Sequence, residues 1–111
     1  MHEVAIVRGD GIGPEISEAA QRVLEASGVE IRWVEAPLGQ EARRRLGSEL
    51  PLESLEKIRR VGVALKAPLV AERLSGGVLV EAPHEARRYP SVNNGLRREL
   101  KAYANLKRLL A

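Results

Sequence analysis

Four apolar residues, Val4-Ala5-Ile6-Val7, run directly into Arg8-Gly9-Asp10-Gly11-Ile12-Gly13, and Pro14 opens the next segment. An apolar run this short suits a buried strand and is too short for a helix. Glycines at alternate positions then permit a tight turn. Pro14 suits the first turn of a helix, where its missing N–H is no loss. Glu15 lies where the positive end of a helix favours an anion. A strand that turns at once into a helix is the start of a β-α-β unit, and it constrains everything downstream.

The next segments keep the alternation. Ile16, Ala19, Ala20, Val23 and Leu24 repeat at helical spacing and define one apolar face. Ser27-Gly28 ends that helix, with Gly28 as a left-handed cap. Val29, Ile31 and Trp33 alternate with Glu30, Arg32 and Glu35 as a second strand, closed by Pro37 and Gly39. Glu41 to Leu46 reads as a short charged helix. Pro51 opens another, striped by Leu52, Leu55 and Ile58. Val61-Gly62-Val63-Ala64-Leu65 is a third apolar run, stopped by Lys66-Ala67-Pro68. Strand, helix, strand, helix, strand with short connections predicts an α/β fold with a short, mostly parallel sheet. Val70 to Pro90 reads as a long loop with one hairpin strand at Val78-Leu79-Val80. From Asn93, the spacing of Leu96, Leu100, Tyr103, Leu106 and Leu110 predicts a C-terminal helix. No repeat or linker interrupts the chain, so residues 1–111 form a single domain.

Composition excludes several function classes. Without Cys there is no disulfide framework, thiolate nucleophile or Cys-ligated zinc. Asp10 is the sole aspartate, so chemistry that needs paired aspartates cannot be completed within one copy. The net charge of +3 suggests nucleic acid, but 18 cations face 15 anions and the field largely cancels. Aromatics are limited to Trp33, Tyr89 and Tyr103, which leaves no stacking platform. Arg outnumbers Lys 14 to 4, and Arg-Glu richness is a bias of heat-adapted proteins. No apolar stretch approaches the ~20 residues of a membrane span, and Met1-His2-Glu3 begins no signal peptide. The expected compartment is the cytoplasm. His2 and His84 lie in unrelated segments and suggest neither a metal pair nor a relay.

Three features bear on chemistry, and each reads two ways. The Gly9–Glu15 loop follows a strand and opens a helix, as anion-binding loops do. Pro14 replaces the third glycine of the dinucleotide fingerprint, and no Gly-Lys-Ser/Thr comes after it, so spacing alone favours a plain structural turn over a ligand loop. Ser91, Asn93 and Arg97 cluster at the start of the last helix, with Asn93 and Arg97 on one face. A guanidinium beside two hydrogen-bonding side chains makes a carboxylate cradle; the alternative is an N-cap beside a solvated Arg. Lys66 ends the third strand at the edge where open α/β sheets take ligands, or is merely solvated there.

Together the residues resemble the isocitrate/isopropylmalate dehydrogenase family. The resemblance rests on Val-Ala-Ile-Val-x-Gly-Asp-Gly-Ile-Gly-Pro-Glu-Ile, Ala-Leu-Lys-Ala-Pro-Leu and Ser-x-Asn-x-x-Leu-Arg-x-x-Leu-x-x-Tyr-Ala-Asn-Leu, in order, over residues 3 to 107. The Ser-x-Asn form is more similar to isocitrate dehydrogenases, because the isopropylmalate enzymes carry apolar residues there. The resemblance implies a substrate cradle of Ser91, Asn93 and Arg97, with Lys107 where the family has a further Arg. Lys keeps that charge but loses the bidentate fork. It also implies that Gly11, Ile12, Lys66, Pro68 and Leu69 lie on the cofactor side of the cleft. NAD or NADP and Mg or Mn are implied by the resemblance alone. None is expected to bind the isolated chain, because the family's catalytic Tyr and Lys and its metal-binding Asp residues have no counterparts here.

These readings give three function classes. The first is a truncated or stand-alone dehydrogenase homologue that keeps a di- or tricarboxylate cradle and is non-catalytic alone. It would serve as a pseudoenzyme subunit or a regulatory partner. Its expected partners are a second copy of itself or a larger dehydrogenase chain, through unpaired strand edges and an uncovered apolar face. The second class is one half of a split active enzyme. The third is a non-enzymatic module for nucleic acid or another polyanion, marked by strongly salt-dependent binding.

Overall fold

The computed structural model describes residues 1–69, 77–81, 86–102, 104 and 106. It confirms the α/β architecture. Three parallel strands, β1 (His2–Val7), β2 (Ile31–Glu35) and β3 (Ala64–Lys66), form a sheet in the order β2-β1-β3. The register pairs Val4 with Trp33 and Ile6 with Leu65. Helix α1 (Gly13–Ala26) connects β1 to β2; α2 (Gln40–Leu46) and α3 (Leu52–Val61) connect β2 to β3. The chain first steps to one side of β1 and then crosses to the other. Right-handed crossovers therefore place α1 and α3 on opposite faces. The reversal leaves a crevice between the carboxyl ends of β1 and β3, the usual ligand position in such sheets.

Two predicted segments are corrected. Val61 and Gly62 belong to α3 rather than to the third strand. Gly62 is its left-handed C-cap, with φ of 84° and its N–H donating to Ile58 O. β3 is thus only three residues long. The segment read as loop contains two strands, not one: β4 (Val78–Glu81) pairs antiparallel with β5 (Ala86–Tyr89). The sequence Ala-Arg-Arg-Tyr lacks the apolar alternation that would have revealed β5.

The final helix, α4 (Val92–Glu99), is shorter than its leucine spacing predicts. It stops at Leu100; Lys101 takes a left-handed φ of 55°, and Ala102 N–H returns to Arg97 O. Leu106 is fully solvated instead of continuing the stripe. Tyr103 and Leu110 lie outside the described residues, as do the expected loop at 70–76 and His84.

The core occupies one face of the sheet. Ala5 and Val7 meet Leu38, Leu50, Leu55, Ile58, Val78, Val80, Val92 and Leu96. Buried Ser54 donates to Pro37 O at 2.6 Å, so the polar group within this core is satisfied. The opposite face differs. Ile6 is covered, but α1 buries only Gly13 and Ser17, and its predicted apolar stripe faces outward. Among the described residues, no helix is long and apolar enough to cross a membrane.

Candidate functional site

The glycine loop is fastened to the segment after β3. Asp10 N–H donates to Pro68 O at 2.9 Å, and Ala67 N–H to Val7 O at 2.9 Å. Gly9 has φ of 78°, and a Cβ there would sit 2.4 Å from Pro68 O and 2.9 Å from the Ala67 Cβ. Glycine is therefore required by close approach as well as by φ. Two stretches assigned to the cofactor side thus lie together across the β1/β3 crevice.

The individual side chains divide. Gly11 and Ile12 are exposed on the rim; Ile12 is the N-cap residue of α1 but offers no side-chain cap. Pro68 is exposed, while the Leu69 side chain is buried in the core against Gly39. Asp10 is buried, and its Oδ1 accepts the Gln40 N–H at 3.0 Å. Thirty residues apart in sequence, the sole aspartate caps the start of α2. The cleft lined by Gly9, Asp10, Gly11, Pro14, Gln40, Glu41 and Arg44 holds about 190 Å³. That is below the roughly 300–1,000 Å³ of small-molecule pockets.

At the start of α4, Ser91 Oγ accepts the Asn94 N–H at 3.1 Å, so the N-cap reading holds. Capping uses an acceptor lone pair and leaves the hydroxyl proton available, so the cap and a cradle are compatible. Asn93 is half-buried on the first turn, and the Arg97 side chain is exposed on the last. Lys66, expected on the cofactor side, ends β3. Its ammonium is held below the ordinary lysine range, first by partial desolvation and then by repulsion from Arg97. Arg97, 31 residues further on, is near enough for its charge to act on Lys66. Among the described residues, neither has a carboxylate partner. Lys107 lies outside those residues.

Sequence reading missed Glu99. Its side chain is 3% exposed and receives Arg87 through both oxygens, Nε at 2.6 Å and Nη2 at 2.8 Å. Tyr89 Oη donates to the same carboxylate. Arg59 from α3 reaches Oε1 at 3.2 Å and the Glu99 carbonyl at 2.7 Å. These donors, Arg87 foremost, hold the carboxyl well below its usual range, at about 2. One signal was available: from 86 to 111, Glu99 is the only acid among seven Lys and Arg residues.

No three His, Asp or Glu converge among the described residues, and Asp10 is committed to α2.

A β2-β1-β3 parallel sheet with a glycine-bound loop at its carboxyl edge places the chain among open α/β proteins that take ligands there. The isocitrate/isopropylmalate dehydrogenase family matches residues 3–110, and the chain belongs to that family. It is 40% identical over 99 residues to the mitochondrial NAD isocitrate dehydrogenase catalytic subunit 5 of Arabidopsis thaliana, covering 89% of this chain and 23% of that protein. It is 38% identical over 99 residues to the chloroplastic 3-isopropylmalate dehydrogenase of Solanum tuberosum, covering 89% and 24%. The crystal structure of isocitrate dehydrogenase from Methylococcus capsulatus superposes with a TM-score of 0.77 at 36% identity, over 93% of this chain and 27% of that one. The chain spans about a quarter of the length of these relatives.

Proposed function

We propose that this chain supplies the carboxylate-binding side of a decarboxylating 2-hydroxyacid dehydrogenase site and does not turn over substrate alone. The observation that carries this reading is the exposed Arg97 guanidinium on α4, which has no carboxylate partner among the described residues and repels the Lys66 ammonium at the end of β3. A bound polycarboxylate relieves their repulsion and accepts the Arg97 fork. Ser91 and Asn93 add a donor and an amide at the same helix start. Their polarity favours an isocitrate-like tricarboxylate over an alkylmalate, although relatives of both kinds match at similar identity. In a completed site, Gly11, Ile12 and Pro68 form the rim on the cofactor side.

The test is calorimetric titration with isocitrate, beside an assay containing Mg²⁺ and NAD or NADP. Binding that Arg97→Ala abolishes, without turnover, is the expected result. Clear turnover by the pure chain would overturn the non-catalytic part; no saturable binding would overturn the cradle.

A second reading is favoured by the α1 stripe. Val23 is 72% exposed and Ile16 44%, an apolar surface with helical register and no cover among the described residues. The remaining three-quarters of the relatives' length is the occupant this reading assigns to the stripe. On this view the chain is one half of a split enzyme. Co-expression with the complementary three-quarters of the Methylococcus capsulatus enzyme restores isocitrate oxidation if it is correct. A chain that only associates with itself, with or without isocitrate, counts against it.

A further inference from the structure

We propose that Glu99 is a positioning residue for the carboxylate cradle: by clamping the end of α4 to β5, it fixes where Arg97 and Ser91 stand. This rests on the cradle reading above. Ser91, Asn93 and Arg97 all lie between residues 87 and 99, and the clamp closes that segment at both ends. Arg87 and Tyr89 hold Glu99 from the strand that leads into α4. Arg59 holds the side chain and the carbonyl of Glu99 from α3, which packs against the parallel sheet. The segment is thus referenced to both the hairpin and the sheet that carries Lys66.

Local structure alone does not supply that reference. α4 has only eight residues, too few for a helix to hold its own geometry in water. It contains Gly95, which buries no side chain and lets Tyr89 and Leu50 approach; a Cβ there would lie 2.9 Å and 2.6 Å from them. Past Glu99 the chain turns away through Lys101. A bidentate Arg–carboxylate pair fixes orientation as well as distance.

The test compares isocitrate affinity and thermal stability for five forms of the whole chain: wild type, Arg97→Ala, Glu99→Gln, Tyr89→Phe and Ile6→Ala. Ile6 is fully buried but lies outside the core cluster that holds Ala5 and Val7, so it reports destabilisation remote from α4. Glu99→Gln is expected to weaken isocitrate roughly tenfold, as displacement of a binding group does. Tyr89→Phe removes a single donor and is expected to cost about threefold. Ile6→Ala lowers the melting temperature yet leaves affinity within about twofold.

If Glu99→Gln does not fold, Tyr89→Phe decides; it keeps both arginine bonds. Unchanged affinity in the clamp variants, with Arg97→Ala still disruptive, overturns the positioning role and leaves the cradle standing. Equal affinity loss in Ile6→Ala also overturns it, because the loss then tracks general stability. Wild-type protein that does not bind isocitrate overturns the cradle, and the positioning role falls with it.

Discussion

The two faces of the parallel sheet share β1 and end in opposite conditions. Ala5 and Val7 look into a finished core, where Leu38, Leu50, Leu55 and Val80 are at most 1% exposed. Ile6 looks the other way, toward a helix whose Val23 is 72% exposed and whose Leu24 is 39% exposed. Each buried Val or Leu contributes about 1.5–3 kcal/mol relative to exposure. That gain is realised on the α3 face and largely unrealised on the α1 face. Helical periodicity is equally clear on both. A hydrophobic stripe thus identifies a surface that has to be covered; it does not say that nearby chain will cover it.

The strongest way to break this contrast is to empty the finished face. Leu55→Ala removes a fully buried side chain from α3 and is expected to cost about 3 kcal/mol. For a domain of this size that lowers the melting temperature by about 12–24 °C. Thermal and urea unfolding followed by circular dichroism measure it. A cost below about 1 kcal/mol would show that the α3 face is not the core.

Next in size is Glu99, the electrostatic part of the same face. Glu99→Ala is expected to lose about 2–3 kcal/mol, because charged hydrogen bonds are broken and the arginines are left half-exposed rather than buried. The pH dependence has a definite sign. Folding lowers the Glu99 carboxyl from 4.5 to about 2, so the clamp contributes its full stability above the unfolded value. That contribution declines as pH falls from about 4.5 and is gone below about 2. Denaturant melts of wild type and Glu99→Ala between pH 6 and about pH 2 should converge at the acid end. A constant gap across that window would assign the loss to packing rather than to charge.

A smaller effect is expected at Ser91. Its Oγ caps α4 through Asn94 N–H, and Ser91→Ala should cost about 1 kcal/mol of stability. Ser91→Asn keeps the cap and should recover most of that loss. If it also restores isocitrate binding, capping is the whole role of Ser91; if binding stays weak, the hydroxyl proton contributes separately.

Legibility in the sequence depends on the range of each interaction. Strand, turn and helix starts depend on neighbours, so β1, Pro14 and the Gly28 cap are readable from local pattern. The β1/β3 crevice is not legible locally, because right-handed crossovers also allow the order β1-β2-β3, and only the pairing of β3 with β1 creates the reversal. Long-range polar contacts are not legible either. Asp10 looks like a turn residue until Gln40 arrives thirty positions later. β5 carries two arginines that are spaced for Glu99 and the partner strand rather than alternating with apolar residues. The early end of α4 is hidden because a lysine, not a glycine, takes the left-handed position. Lys66 and Arg97 each stand out in the sequence, but their charges act on each other only in the fold.

The smallest expected effect gives the most direct measure of the difference between the faces. Val23→Lys replaces an exposed apolar side chain on α1 by one of the best helix formers, so the isolated chain should change by no more than about 0.5 kcal/mol. The same charge on a face that packs against a partner has to be desolvated and should reduce assembly with the complementary three-quarters of a relative by more than tenfold, an order-of-magnitude expectation. Unfolding of the chain alone and co-purification yield of the pair measure the two quantities separately. A large stability loss in the isolated chain would place Val23 in a core of its own and make the two faces alike. Unchanged stability with unchanged assembly would leave the stripe as ordinary exposed surface. Only the split result, neutral alone and disruptive in the pair, means that the α1 face is completed by another chain.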